Sequence, residues 1–268
     1  MNEFEKEYYE DESFWSDGMV TDETNIKRIK STIELIPKDV KSLLDVGCGN
    51  GVFLNSLFDR KMKMDLTGTD RSHTALKYVK TKKVQSDITN LPFNDNEFDC
   101  VSCLEVIEHL PHTVYESALA ELVRVSKRFI IISVPFEEKL EDAFTKCPKC
   151  KSLFNSDLHF RNFSQTEFKE LMNEYNCKNL VNFKLGEYSR YKWHKLYQKA
   201  FYPEQIYTWN SPICPLCGYS ETADHTKINL NNRIVKNNKF ITFLKSIPKL
   251  VWPKEKKYYW IIGLFEKL

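Results

Sequence analysis

Four cysteines stand in two matching pairs, Cys147-Pro148-Lys149-Cys150 and Cys214-Pro215-Leu216-Cys217. A two-residue gap lets both thiolates of a pair face one ion. Four thiolates complete a closed tetrahedral zinc site, which reads as structural because no coordination position is left open; two separate redox pairs or unpaired thiols are the alternatives. A second set of ligand-type residues is Glu105-Val106-Ile107-Glu108-His109, after an apolar strand pattern. If this stretch opens a helix, Glu105, Glu108 and His109 stand at i, i+3 and i+4 on one face. Two carboxylates and an imidazole suit a divalent cation such as Mg2+. His159, in a loop after the next strand, is placed to add a fourth ligand. The same residues also allow a metal-free pocket with His109 as general base, or a helix cap and nothing more. The third constellation is Asp45-Val46-Gly47-Cys48-Gly49-Asn50-Gly51. Its glycines let the backbone approach a ligand where a helix N-terminus supplies N–H donors. Asp70 ends the following strand, where a carboxylate can accept from both hydroxyls of a ribose. Asp87 follows the third strand, within reach of an adenine amino group.

Positioning these residues requires a particular set of elements. Leu43–Val46, Leu66–Thr69, Val84–Gln85, Phe98–Leu104 and Phe129–Val134 read as strands. Between them run helical patterns, with Ile26, Ile29, Ile33 and Ile36 ahead of Pro37, then 52–58 and 114–125. A capping box, Ser164 to Glu167, opens a helix to about Tyr175, and Asn179–Lys184 and Tyr258–Phe265 are the last strands. Strands alternating with helices predict an α/β, Rossmann-like doubly wound sheet, mostly parallel with an antiparallel last strand. Residues 1–190 and 255–268 are expected to form that domain. Residues 191–254, with loop 144–159, are expected to form a small zinc-clipped lid over the carboxyl edge. Cys100 and Cys103 fall in one strand on opposite faces and read as core, like Cys177.

Leu44-Asp45-Val46-Gly47-Cys48-Gly49-Asn50-Gly51, Gly68-Thr69-Asp70, Ser86-Asp87 with Leu91-Pro92-Phe93, and Phe98-Asp99 together resemble the motifs of class I S-adenosylmethionine-dependent methyltransferases. The resemblance covers about residues 40–135. It implies S-adenosylmethionine as cofactor, with Asp45, Gly47, Cys48, Gly49, Asn50 and Gly51 around the methionine moiety. Asp70 would bind the ribose, Asp87 and Ile88 the adenine, and Arg71 and Leu104 complete the cofactor set. Cys48 reads as a small buried filler. Glu-x-x-Glu-His with a later His is similar to the metal site of small-RNA 2′-O-methyltransferases and ubiquinone-pathway O-methyltransferases, where a cation lowers the pKa of the attacking hydroxyl. The paired knuckles, with His159 and Phe163 after the first, resemble a methyltransferase subgroup often thought to modify sugars or other metabolites. Lys151 stands where many knuckles carry glycine.

Composition narrows the functions further. The 268 residues hold 39 Lys+Arg against 37 Asp+Glu, a net charge of +2, which argues against attachment to nucleic acid by bulk charge. No apolar run is long enough to cross a membrane, and the opening Met-Asn-Glu-Phe-Glu-Lys has no signal-peptide pattern. A reducing, cytoplasmic setting is therefore expected, where clustered cysteines point to metal before disulfide. The expected function is methylation, favouring an oxygen, of a small-molecule or glycan acceptor. Two rivals stand beside it. One is an RNA methyltransferase using the zinc lid and the basic segment 233–257. The other is a non-catalytic, zinc-dependent interaction protein. The aromatics of 191–209 suit an acceptor platform or the lid's own core, and 233–257 suits an anionic membrane surface, RNA or a solvated helix face. Residues 1–20 are acidic and aromatic, with Tyr8, Tyr9, Phe14 and Trp15.

Overall fold

The computed structural model describes residues 9–12, 15, 23–192, 213–219 and 253–268. Strands β1 (Ser42–Val46), β2 (Asp65–Asp70), β3 (Lys82–Gln85), β4 (Phe98–Leu104), β5 (Ser126–Pro135), β8 (Cys177–Tyr191) and β9 (Lys254–Lys267) form one sheet. Its order is β3-β2-β1-β4-β5-β9-β8. The first five strands pair in parallel, and β9 runs antiparallel between β5 and β8. The strand order reverses between β1 and β4, which opens a crevice at their carboxyl ends.

Helices α1 (Glu23–Leu35), α2 (Val52–Asp59), α3 (His73–Leu76), α4 (His112–Val125) and α5 (Gln165–Glu170) accompany the sheet. Apolar side chains alternate across the strands into two core clusters, which is why the central strands read as continuous apolar runs. Cys100 joins one cluster and Cys103 the other, both fully buried, as their odd spacing along β4 requires. Cys177 is core as well.

Several elements differ from the sequence pattern. The capping box at Ser164 and Glu167 is present, but α5 stops at Glu170, and a separate 3-10 turn, Asn173–Tyr175, follows it. Ile26 of α1 is half exposed, so the helix docks through Ile29 and Thr32 instead. The last two strands are much longer than their apolar centres, because their outer halves pair only with each other. Lys254, Lys256 and Lys257 belong to β9, not to a helix, and Lys256 pairs with Glu187 at 2.9 Å. A two-stranded hairpin, β6 (Phe144–Lys146) with β7 (Leu153–Asn155), carries the first cysteine pair at its turn. The aromatic platform and most of the basic segment lie outside the described residues. Among the described residues no helix is long and apolar enough to cross a membrane.

Candidate active site and cysteine centre

A cleft of about 420 Å³ opens where β1 and β4 diverge. Asp45, Gly47, Cys48, Gly49, Asn50, Asp70, Arg71, Asp87, Ile88 and Leu104 all line it. Gly51 does not line the cleft. It is the N-cap of α2 at φ 78°, where a Cβ would press on Val79, so its work is to turn the chain into the helix. At Gly47 (φ 72°) a Cβ would fall 2.5 Å from Val106 Cγ2, so the loop passes the β4 connection with no space to spare.

The acids around the cleft differ in setting. Asp45 is 3% exposed and accepts a 2.6 Å hydrogen bond from Ser102 Oγ. Burial outweighs that bond and lifts its pKa to about 7. Asp70 accepts from Gly49 N and Ser72 N, both at 2.8 Å, which ties the glycine loop to β2. A carboxylate has about four acceptor positions, so these donors do not exhaust it. Burial raises the Asp70 carboxyl despite those donors. Asp87 turns on Thr89, whose N and Oγ1 donate at 2.9 and 2.7 Å. Burial opposes its ionisation, but the Thr89 donors hold its carboxyl below the ordinary value. Cys48 packs its sulfur against Gly68, and burial pushes its thiol well above the usual range, so it fills space rather than reacting.

The carboxylate–histidine stretch does not form the expected helical face. Glu105 sits at φ 58°, and the turn that follows is a 3-10 helix, Ile107–His109. Glu105 therefore faces the cleft wall, where its Oε1 accepts from Ser133 Oγ at 2.7 Å and lies 3.9 Å from Arg28. Glu108 and His109 instead gather with His159, with one ligand atom from each within 4.8 Å of the others. Glu108 is 1% exposed, and neither of its carboxylate oxygens has a hydrogen-bond partner among the described residues. Burial pushes its carboxyl well above the ordinary value, and Glu105 adds to the shift. The rings of His109 and His159 meet edge to face at 4.6 Å. Nδ1 of His109 is buried without a partner among the described residues, while the ring reaches the cleft. Burial, then His159, pulls the His109 pKa down to about 3, so the imidazole is neutral at physiological pH.

Sequence reading missed Glu138, Arg28, Tyr9 and Trp15. Glu138 Oε2 lies 2.5 Å from His159 Nδ1 and leaves the other ring nitrogen for a ligand. Arg28 reaches the cleft from α1 across the face of Trp260. No local motif marks any of these positions; only the tertiary contacts reveal them.

The two cysteine pairs meet. Cys147 Sγ lies 3.7 Å from Cys217 Sγ and Cys150 Sγ lies 3.7 Å from Cys214 Sγ, with all four within 4.8 Å. A tetrahedron of ~2.3 Å zinc–sulfur bonds has edges of about 3.8 Å. A disulfide would need about 2.05 Å, and all four cysteines are free. From this centre β7 leads to Asn155, whose side chain donates to Leu140 O and accepts from Asp157 N. The next residues, Ser156, Asp157, Leu158 and Phe160, line the cleft. Phe160 N donates to Glu108 O at 2.9 Å, joining the hairpin to the carboxylate–histidine cluster.

Residues 44–129 match the sequence profile of the methyltransferase domain. An uncharacterized protein of Methanocaldococcus jannaschii is 33% identical over 132 residues, 47% of this chain and 54% of the relative. A ubiquinone biosynthesis O-methyltransferase of Rickettsia bellii is 34% identical over 146 residues, 49% of this chain and 60% of the relative. The chain thus spans between half and two thirds of the length of these two curated relatives. Among solved structures, a SAM-dependent methyltransferase from Archaeoglobus fulgidus shares the fold with a TM-score of 0.50 at 15% identity, over 90% of this chain and 92% of that one.

Proposed function

We propose that this chain, which carries a methyltransferase domain over residues 44–129, moves a methyl group from S-adenosylmethionine to an oxygen of a small-molecule or glycan acceptor. The observation that carries this reading is one cleft lined by the glycine loop and by three acids, Asp45 within β1, Asp70 at the end of β2 and Asp87 just after β3. Asp70 keeps acceptor capacity for the ribose, and Asp87 stands at the adenine end. Asp45 and the loop from Gly47 take the methionine end, where Asp45, ionised, answers an ammonium. When bound, S-adenosylmethionine supplies an electrophilic methyl on a sulfonium. The chain's part is to hold the acceptor in line behind that methyl and to take up the acceptor's proton. The test is calorimetry with S-adenosylhomocysteine. Micromolar binding that falls at least tenfold in Asp70→Asn supports the reading, and no binding by the wild type ends it.

Oxygen is favoured because Glu108, His109 and His159 fit a divalent cation. A carboxylate this deeply buried with no donor needs either a proton or a cation. A cation there would stabilise an acceptor alkoxide. Glu138 would orient His159 for it, and Glu105 would line the acceptor side instead of ligating. The Rickettsia relative's assignment as an O-methyltransferase agrees with this choice. Cys147, Cys150, Cys214 and Cys217 fit a structural zinc that holds the hairpin over the cleft, with residues 191–254 and loop 144–159 as the lid. Such a zinc contributes folding free energy to a segment with little core of its own.

A further inference from the structure

Tyr9 and Trp15 line the cleft although they come from a stretch with no binding motif. We propose that the segment bearing them is part of the cofactor site: a strap that closes over the bound cofactor and is latched by Glu10. This rests on the methyl-transfer reading above.

Trp15 is 7% exposed, yet it belongs to neither core cluster. Its burial comes from the glycine loop. A Cβ on Gly49 would fall 2.8 Å from Trp15 Cζ3, and Asn50 Nδ2 donates to Trp15 O at 3.1 Å. Trp15 Nε1 donates back to Tyr9 O at 2.7 Å, which also accepts from Ser72 Oγ at 2.6 Å. The Tyr9 ring carries the Arg71 guanidinium 4.6 Å from its centre. The segment therefore lies over the glycine loop and over the residues just after Asp70, two places that both donate to the Asp70 carboxylate. On the methyl-transfer reading, that is where the ribose of a bound cofactor would sit.

The latch stands outside the cleft. Glu10 accepts from His73 N and Thr74 N, each at 3.0 Å, and Tyr78 OH donates to Glu12 at 3.3 Å. Rim contacts of this kind, polar and partly exposed, open at low free-energy cost compared with the core. A cofactor beneath the strap adds aromatic contact to these bonds, so release requires the strap to lift. Gly49 is then needed twice, for its left-handed φ of 53° and for the indole lying on it.

The zinc-loaded chain is titrated with S-adenosylhomocysteine by calorimetry, and its release rate is followed by stopped flow. Trp15→Ala should weaken binding about tenfold, the scale of one aromatic contact, and Trp15→Phe should restore most of it. Glu10→Ala, which touches nothing in the cleft, should speed release several-fold, a change that loss of a merely structural contact would not produce. Wild-type affinity and release in Trp15→Ala and Glu10→Ala, with binding intact in the parent, would overturn the strap alone. No binding by the parent would overturn the methyl-transfer reading and the strap with it. If Trp15→Ala fails to fold, Glu10→Ala and Trp15→Phe decide the matter.

Discussion

Lys151 and Gly218 occupy the same position in two copies of one turn. Each has φ 65°. Lys151 N donates to Cys147 O and Gly218 N to Cys214 O, both at 3.0 Å. The first cysteine of each pair then donates its N to the residue after that position, Cys147 to Ser152 O and Cys214 to Tyr219 O. Lysine at the left-handed position replaces the common glycine of such knuckles without changing the turn. The Cβ clash costs on the order of 1 kcal/mol there, partly offset by the smaller entropy that lysine loses on folding. Lys151→Gly should therefore raise the stability of the metal-loaded protein by a few tenths to about 1 kcal/mol. Gly218→Lys should lower it by a similar amount. Thermal unfolding of both variants checks the pair, and opposite signs are the expected result.

The meeting of four sulfurs predicts one zinc per chain. Cys147→Ser with Cys214→Ser should remove it, as read by elemental analysis after gel filtration. Because Ser156, Asp157, Leu158 and Phe160 follow directly from this centre into the cleft, cofactor affinity should fall in the same double variant. Zinc retained at one per chain would refute the four-cysteine centre.

Glu108 is a buried carboxylate whose oxygens have no hydrogen-bond partner among the described residues, so its removal should act in opposite directions on stability and on metal binding. Glu108→Gln should raise the unfolding free energy of divalent-free protein at pH 8, by an amount on the order of 1–3 kcal/mol. It should also abolish calorimetric Mg2+ or Mn2+ binding. Glu138→Gln should leave stability near the parent and weaken the same metal about 10–100-fold, as loss of an orienting partner does. A Glu108→Gln protein that binds Mg2+ and Mn2+ like the parent would exclude the site.

Asp45 should impose a recognisable pH dependence. Its pKa is about 7 in the folded chain against an ordinary 3.8. Between roughly pH 4 and pH 7 the unfolded chain has released this proton while the folded chain retains it. This group's contribution to stability therefore falls as pH rises through that window and is flat above it. The difference in unfolding midpoint between Asp45→Asn and the parent should grow from pH 4 to pH 7 in favour of the variant. S-adenosylhomocysteine, with its ammonium, should bind the parent more tightly as pH passes 7, and the variant should lose that dependence. Parallel midpoint profiles from pH 4 to 7 would contradict the assignment.

Sequence alone determined what is local. The glycine loop after β1, Asp70 at the end of β2, and two knuckles with a two-residue gap are each set by neighbours within a few positions. Their residue types limit the backbone directly, through a left-handed φ, an absent Cβ or a thiolate pair facing one ion. The alternation of apolar strands with helices fixed the sheet's class for the same reason, since strands buried on both faces must be apolar throughout. What only the tertiary structure decided is non-local. Whether Glu105 joins Glu108 and His109 depends on one positive φ, which places it beside Ser133 and Arg28 instead. Glu138 meets His159 across 21 residues, and Trp15 reaches Asn50 across 35. No periodicity encodes such contacts, because they exist only once the sheet has brought the carboxyl ends of its strands to one edge.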